Sequence, residues 1–235
     1  MSKAAIAPMG PASQAPRRLT QAERSEAMRK RLLEATLESL AEDGYAGTSL
    51  NSIVRRAGVS RGAQTHHYPS KQALILDAAE DLLRRSYRTL GQLILSSADE
   101  GNRLQTLIEA TWAQLFDTPL YHAYAELLTA SQRDVQLADA LRELLLRVRR
   151  MFEPAIEHYF EPAPGAREDL RVLFLQLSFL MVGLSSQVHL FNDRGLVQAQ
   201  IKLWIKQAAP LIRAKKGIKT PPPRPDSFDR PLAAD

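Results

Sequence analysis

Residues 49–71 read SLNSIVRRAGVSRGAQTHHYPSK, and this stretch decides the fold. Ser49, with Thr48 before it, supplies a helix cap, and Leu50, Ile53, Val54 and Ala57 recur at i, i+3, i+4 and i+7, which predicts a short helix with one apolar face. Gly58 supplies a left-handed stop, Val59 turns inward, and Ser60 caps a third helix running from Arg61 to about Tyr68. Pro69 closes that helix and Ser70 caps the next, beginning at Lys71. Helix, glycine-containing tight turn and second capped helix make a helix-turn-helix, whose second helix lies in the major groove of double-stranded DNA. A plain αα corner shares this geometry. Against it, Arg61 stands in the first turn of the second helix beside Gly62 and Ala63, so a long base-reading donor is flanked by residues small enough for close approach to DNA.

Upstream, Leu33, Leu37, Leu40 and Ala41 predict a first helix from about Thr20 to Asp43, ended by Gly44. The segment from Met1 to Ile75 carries eleven basic and six acidic residues, a net +5, whereas residues 76–213 carry 15 basic and 17 acidic. Such a bias suits a phosphate-binding module, although solvated helix faces carry similar runs. Downstream, breaks at Asp99–Asn102, Pro119, Arg133–Asp134, Pro162–Gly165 and Asn192–Gly195 cut the chain into five further helices, about nine in all, with no period-two strand pattern. The expected fold is all-α: a three-helix helix-turn-helix DNA-binding domain over 20–70, and a larger helical ligand-binding and dimerisation domain over 71–213. Residues 1–19 read as a disordered basic arm, in which Arg17 and Arg18 could reach a minor groove, and 214–235 as a disordered proline-rich tail.

The sequence resembles the tetracycline-repressor (TetR) family. The resemblance rests on Gly44-Tyr45, Thr48-Ser49, Ile53-Val54, Ala57-Gly58-Val59-Ser60, His67-Tyr68 and Pro69-Ser70-Lys71, and covers roughly Arg29 to Leu74. It implies a cytoplasmic homodimeric regulator, released from a palindromic operator by a small apolar or aromatic effector; a DNA-binding dimer without an inducer is the alternative. The family commonly has an aliphatic residue and then a tyrosine where this chain has Gln64 and Thr65, so that tyrosine's backbone contact does not carry over. Thr65 can still donate to a phosphate or touch a thymine methyl group, and Gln64 is expected to face the core, where it needs a partner.

Arg61 is the expected base reader, with Ser60, Gly62, Ala63, Thr65 and His66 beside it, and Ser49, His67 and Lys71 are phosphate candidates. Adjacent helix positions point about 100° apart, so His66 and His67 do not suggest a metal site, and no cofactor is expected. The chain lacks cysteine, which removes thiol chemistry and suits a reducing compartment. It also lacks G-x-S-x-G, H-E-x-x-H and a phosphate loop, so no enzyme is expected. The prolines near the N-terminus argue against an export signal, and the apolar run Val172–Leu184 falls short of the roughly 18 residues of a membrane span.

Residues Ala166–Phe191 read as a helix apolar around nearly its whole circumference, so one side should pack on its own domain and the other, with a last helix Leu196–Ile212, on a second copy. A central helix in a monomeric core is the other reading. Trp112, Phe116, Tyr121, Tyr124, Met151, Phe152, Phe174 and Met181 gather on the middle helices; they can be core, and the resemblance implies that a subset lines an effector pocket.

Overall fold

A computed structural model describes residues 20–96, 100–191 and 193–223. Nine α-helices occur among them: α1 (Gln21–Gly47), α2 (Leu50–Ala57), α3 (Arg61–His67), α4 (Lys71–Ser96), α5 (Arg103–Thr111), α6 (Pro119–Ser131), α7 (Val135–Tyr159), α8 (Leu170–Phe191) and α9 (Arg194–Ala208). Local chemistry sets their ends. Thr20 and Glu23 form a reciprocal capping box at the start of α1, and Thr118, Asp134 and Asp193 cap α6, α7 and α9. Gly44, at φ 69° and ψ 175°, breaks the regular helix where the sequence predicts, and a short helical stretch continues beyond it to Gly47.

Two large apolar cores, with a small cluster of Tyr87 and Met151 apart from them, fill the described residues. The first joins Leu32, Leu33, Leu37 and Leu40 of α1 to Ile53 of α2, Leu74, Ile75 and Ala78 of α4, Ala123 and Leu127 of α6, and Leu137, Leu141 and Leu144 of α7. The helix-turn-helix therefore shares its interior with α6 and α7. The second core is aromatic: Trp112, Phe116, Tyr121, Tyr159, Phe160, Phe174 and Trp204 pack with Met181, Ile201 and other aliphatics from α5, α8 and α9. Between α5 and α6 the chain makes one π-helical turn, Trp112–Phe116, closed by the Asp117 N–H donating to the Trp112 carbonyl at 2.8 Å.

Three expectations are corrected. Strands β1 (Phe160–Pro162) and β2 (Ile212–Ala214) form an antiparallel ribbon, three residues each being too short for a period to register in sequence. The segment from residue 214, read as disordered, is docked over its described part: Arg103 donates to the carbonyls of Lys215 (3.2 Å) and Ile218 (3.3 Å), and the Lys215 N–H donates to the Tyr159 carbonyl (2.9 Å). Its proline composition concealed backbone bonds made to residues far away in sequence. The 1–19 arm with Arg17 and Arg18, and residues 224–235, lie outside the described residues. Third, α8 over Leu170–Leu190 has by length and composition alone what a membrane span needs, because Gln176, Ser178 and the residues beyond Leu184 interrupt its apolar character too weakly. One face of α8, with Leu170, Leu173, Phe174, Leu177 and Met181, is spent on the second core. The opposite face presents Val172, Leu175 and Phe179 to solvent, Phe179 being 67% exposed.

Candidate nucleic-acid interface

The recognition helix is built from its caps inward. The Ser49 hydroxyl accepts from the Ser52 N–H at 3.1 Å, and the Ser52 hydroxyl accepts from the Ser49 N–H at 2.9 Å, so α2 starts with a closed capping box. Gly58, left-handed at φ 62° and ψ 40°, turns the chain and returns its N–H to the Arg55 carbonyl. Ser60 accepts from the Ala63 N–H at 3.2 Å and begins α3. Arg61, Gly62, Thr65 and His66 are exposed, with Ala63 and His67 half-buried, so the predicted reading residues share one accessible face. The Thr65 hydroxyl donates to the Arg61 carbonyl at 3.0 Å, which leaves its oxygen lone pairs and its methyl group outward.

Gln64 points inward and finds its partner. Its side-chain amide donates to the Tyr68 carbonyl at 2.6 Å, while the Tyr68 N–H donates to the Gln64 carbonyl at 2.8 Å. The glutamine thus closes the C-terminal end of α3 instead of leaving a buried amide unpaired.

A web that sequence reading missed fixes α3 against its neighbours. The buried Tyr68 hydroxyl donates to Asp77 of α4, and one guanidinium nitrogen of Arg29 of α1, Nη2, donates to the same carboxylate, 2.9 Å from each of its oxygens. Burial opposes the charge on Arg29, but Asp77, Tyr68 and Glu26 together outweigh it and raise the guanidinium pKa; burial and the Asp77 carboxylate hold the Tyr68 hydroxyl protonated. The signal available in sequence was an acid on the apolar face of α4, three residues after Leu74 and one before Ala78.

Lys71 departs from a free phosphate ligand. Its ammonium donates to the Tyr45 carbonyl at 2.7 Å and stands 4.3 Å over the Tyr45 ring, and burial lowers its pKa. Two of its three N–H donors remain for other partners. Arg56 is turned away from the reading face, 2.7 Å from Glu42 and 3.5 Å from Asp43 of α1. Arg29 and Arg56 are therefore paired with acids of the fold, and part of the N-terminal positive charge is neutralised within the molecule.

Comparison with known proteins fits this geometry. The family model described as bacterial regulatory proteins, tetR family, matches residues 32–78, from the middle of α1 to the first turns of α4. The HTH-type transcriptional regulator CymR of Pseudomonas putida is 32% identical over 138 residues, which span 59% of this chain and 68% of that protein. The chain belongs to the tetR family. As a member it is a DNA-binding transcriptional regulator and not an enzyme. The crystal structure of a candidate transcriptional regulator from Pseudomonas aeruginosa PAO1 is 28% identical, with a TM-score of 0.57, covering 81% of this chain and 92% of that one. A second, from Saccharomonospora viridis in complex with choline, shares the fold at 23% identity and a TM-score of 0.58, covering 80% and 99%.

In the regulatory half, the eight predicted pocket residues fall into two groups. Trp112, Phe116, Tyr121, Phe174 and Met181 lie together in the aromatic core with Tyr124 packed on it, whereas Met151 and Phe152 form a separate cluster with Tyr87. The structure thus brings six of the eight together. Two surface cavities, about 390 Å³ between α8 and α9 and about 460 Å³ beside β2 and the start of α5, are lined by none of them. Trp204 of α9 is buried in the same core as Trp112.

Proposed function

We propose that this tetR-family regulator is a repressor that binds a palindromic operator as a homodimer and leaves it when a small, mainly apolar or aromatic molecule enters the 71–213 regulatory domain. The observation that carries this reading is the position of α6. Its Ala123 and Leu127 belong to the core shared with the DNA-binding helices, while Tyr121 and Tyr124 belong to the aromatic core. Near its end, the Glu126 carboxylate accepts from the Tyr45 N–H at 3.3 Å and lies so close to Gly44 that a Cβ there would be 3.0 Å away. A shift of α6 caused by a guest among the aromatic rings is therefore felt at the kink of α1, beside the helix-turn-helix.

The dimer reading is supported by the exposed apolar side chains Val172, Phe179 and Leu190 of α8 and Leu196 and Leu203 of α9. Two heads reading successive major grooves about 34 Å apart lose their joint grip when their separation changes. In that arrangement Arg61 reads base edges; Gly62, Ala63, Thr65 and His66 lie along the groove; and Ser49, Ser60, His67 and the spare donors of Lys71 address phosphates.

A hundredfold loss of operator affinity requires about 2.7 kcal/mol of differential ligand binding. Burying a few methylene equivalents at about 0.8 kcal/mol each supplies it. The test is a parallel titration of Trp112 emission and operator anisotropy over a panel of small aromatic compounds. Matching midpoints are expected, and a panel in which no compound moves either signal would favour the dimer without an inducer.

A further inference from the structure

We propose that the Tyr121 hydroxyl is the polar anchor of the effector, and that the effector is a neutral aromatic molecule bearing one hydrogen-bond acceptor, such as a ketone or ester oxygen. This rests on the sensor reading above and assigns its ligand chemistry. Tyr121 is only 2% exposed, and its hydroxyl has no hydrogen-bond partner. Its ring lies 4.8 Å from Phe116 and 5.8 Å from Tyr124, and Phe116 in turn stacks with Trp112 at 6.5 Å and 7°. A buried hydroxyl without a partner costs stability that phenylalanine at the same position would not. A guest that accepts from this hydroxyl removes the cost only when bound, which gives the differential affinity a sensor needs.

The surrounding rings favour an aromatic guest through offset and edge contacts. Burial raises the pKa of Tyr121, and that of Tyr124 to about 12, so both hydroxyls are donors at neutral pH. Next to this cluster, among the described residues, Arg194 pairs with Asp117 at 2.8 Å and the two neutralise each other, so a charged guest would lose its hydration without a counter-charge. The cluster has a place to open. The π-helical turn Trp112–Phe116 is held to α8 by the Ser185 hydroxyl donating to the Phe116 carbonyl at 2.7 Å, and α6 starts three residues beyond it.

The test uses the full-length protein and its Tyr121→Phe variant, with two matched pairs, acetophenone with ethylbenzene and methyl benzoate with propylbenzene, plus benzoate and benzyltrimethylammonium as charged probes. Without ligand, Tyr121→Phe should raise Tm by about 2–4 °C. In the native protein an oxygen-bearing compound should bind at least about tenfold more tightly than its hydrocarbon mate, and Tyr121→Phe should abolish that preference. A lowered Tm, a preference that survives the substitution, or a charged probe binding most tightly would each overturn the proposal. Hydrocarbons that bind and release DNA equally well in both proteins would overturn the Tyr121 assignment and leave the sensor reading standing. Silence of all six probes in Trp112 emission and operator affinity would count against both.

Discussion

The DNA-binding head and the aromatic half of the regulatory domain are both helical and both densely packed, yet they differ in how many of their buried polar groups are satisfied. In the head, Thr36, Ser39, Thr48, Gln64 and Asp77 are buried and each is bonded, to Leu32, Asp43, Gly44, Tyr68 and Arg29 respectively, and only farther along α4 does one carboxylate oxygen of Glu80 lack a partner among the described residues. Beyond α4, by contrast, Arg103 Nε and the Tyr121 hydroxyl are buried without partners, the backbone makes a π-helical turn, and α8 and α9 leave broad apolar faces uncovered. Satisfied polar networks rigidify a structure, while unsatisfied ones and bare apolar faces are completed from outside. The head thus holds one geometry, and the other half has the features that the proposed second copy and guest require.

The largest effect should come from breaking the apolar faces. In the proposed symmetric dimer, Leu203→Asp, or Phe179→Asp on α8, occurs twice and places unpaired charge in the shared surface. Sedimentation should show at least about a hundredfold weaker dimerisation, equivalent to about 2.7 kcal/mol, together with loss of operator binding. A wild-type chain that is monomeric at micromolar concentration, or variants that remain dimeric, would break the comparison on this side.

Next comes the web beneath the recognition helix. Asp77→Ala strands Arg29 and the Tyr68 hydroxyl together and should cost about 3 kcal/mol in urea unfolding. Tyr68→Phe removes one bond and should cost about 1 kcal/mol. If Asp77→Ala were nearly silent, the head would not owe its rigidity to this network. A smaller effect, about 1 kcal/mol, is expected for Ser60→Ala, which removes the cap of α3, and restoration by Ser60→Asp would separate capping from phosphate contact.

What was legible in the sequence was what neighbours in the chain decide. Ser49, Gly58 and Ser60 announced the caps and the turn, and Leu50, Ile53, Val54 and Ala57 the buried face, because caps and periodicity act over a few residues. The inward orientation of Gln64 followed from the family resemblance, which commonly has an aliphatic residue at that position. The bond between Arg29 and Asp77, 48 residues apart, was not legible, and nor was the fate of Lys71, whose partner at Tyr45 lies 26 residues away. The pairing of β1 with β2 and the docking of residues 215–218 on Arg103 belong to the same class, since tertiary contacts carry no local period. Net charge misled in one respect: part of the positive segment is spent on acids of the fold, Arg29 on Asp77 and Arg56 on Glu42.

We propose that the exposed face of α3 reads DNA through Arg61. Selection of bound sites from a random duplex pool, with the native protein and with Arg61→Ala at one fixed salt concentration, tests it most directly. The native chain should enrich a palindrome with half-sites about one helical turn apart. Arg61→Ala should lower affinity by about 1–3 kcal/mol and relax one symmetric pair of base positions. Recovery of the same site with the same base preferences by both proteins would contradict the account.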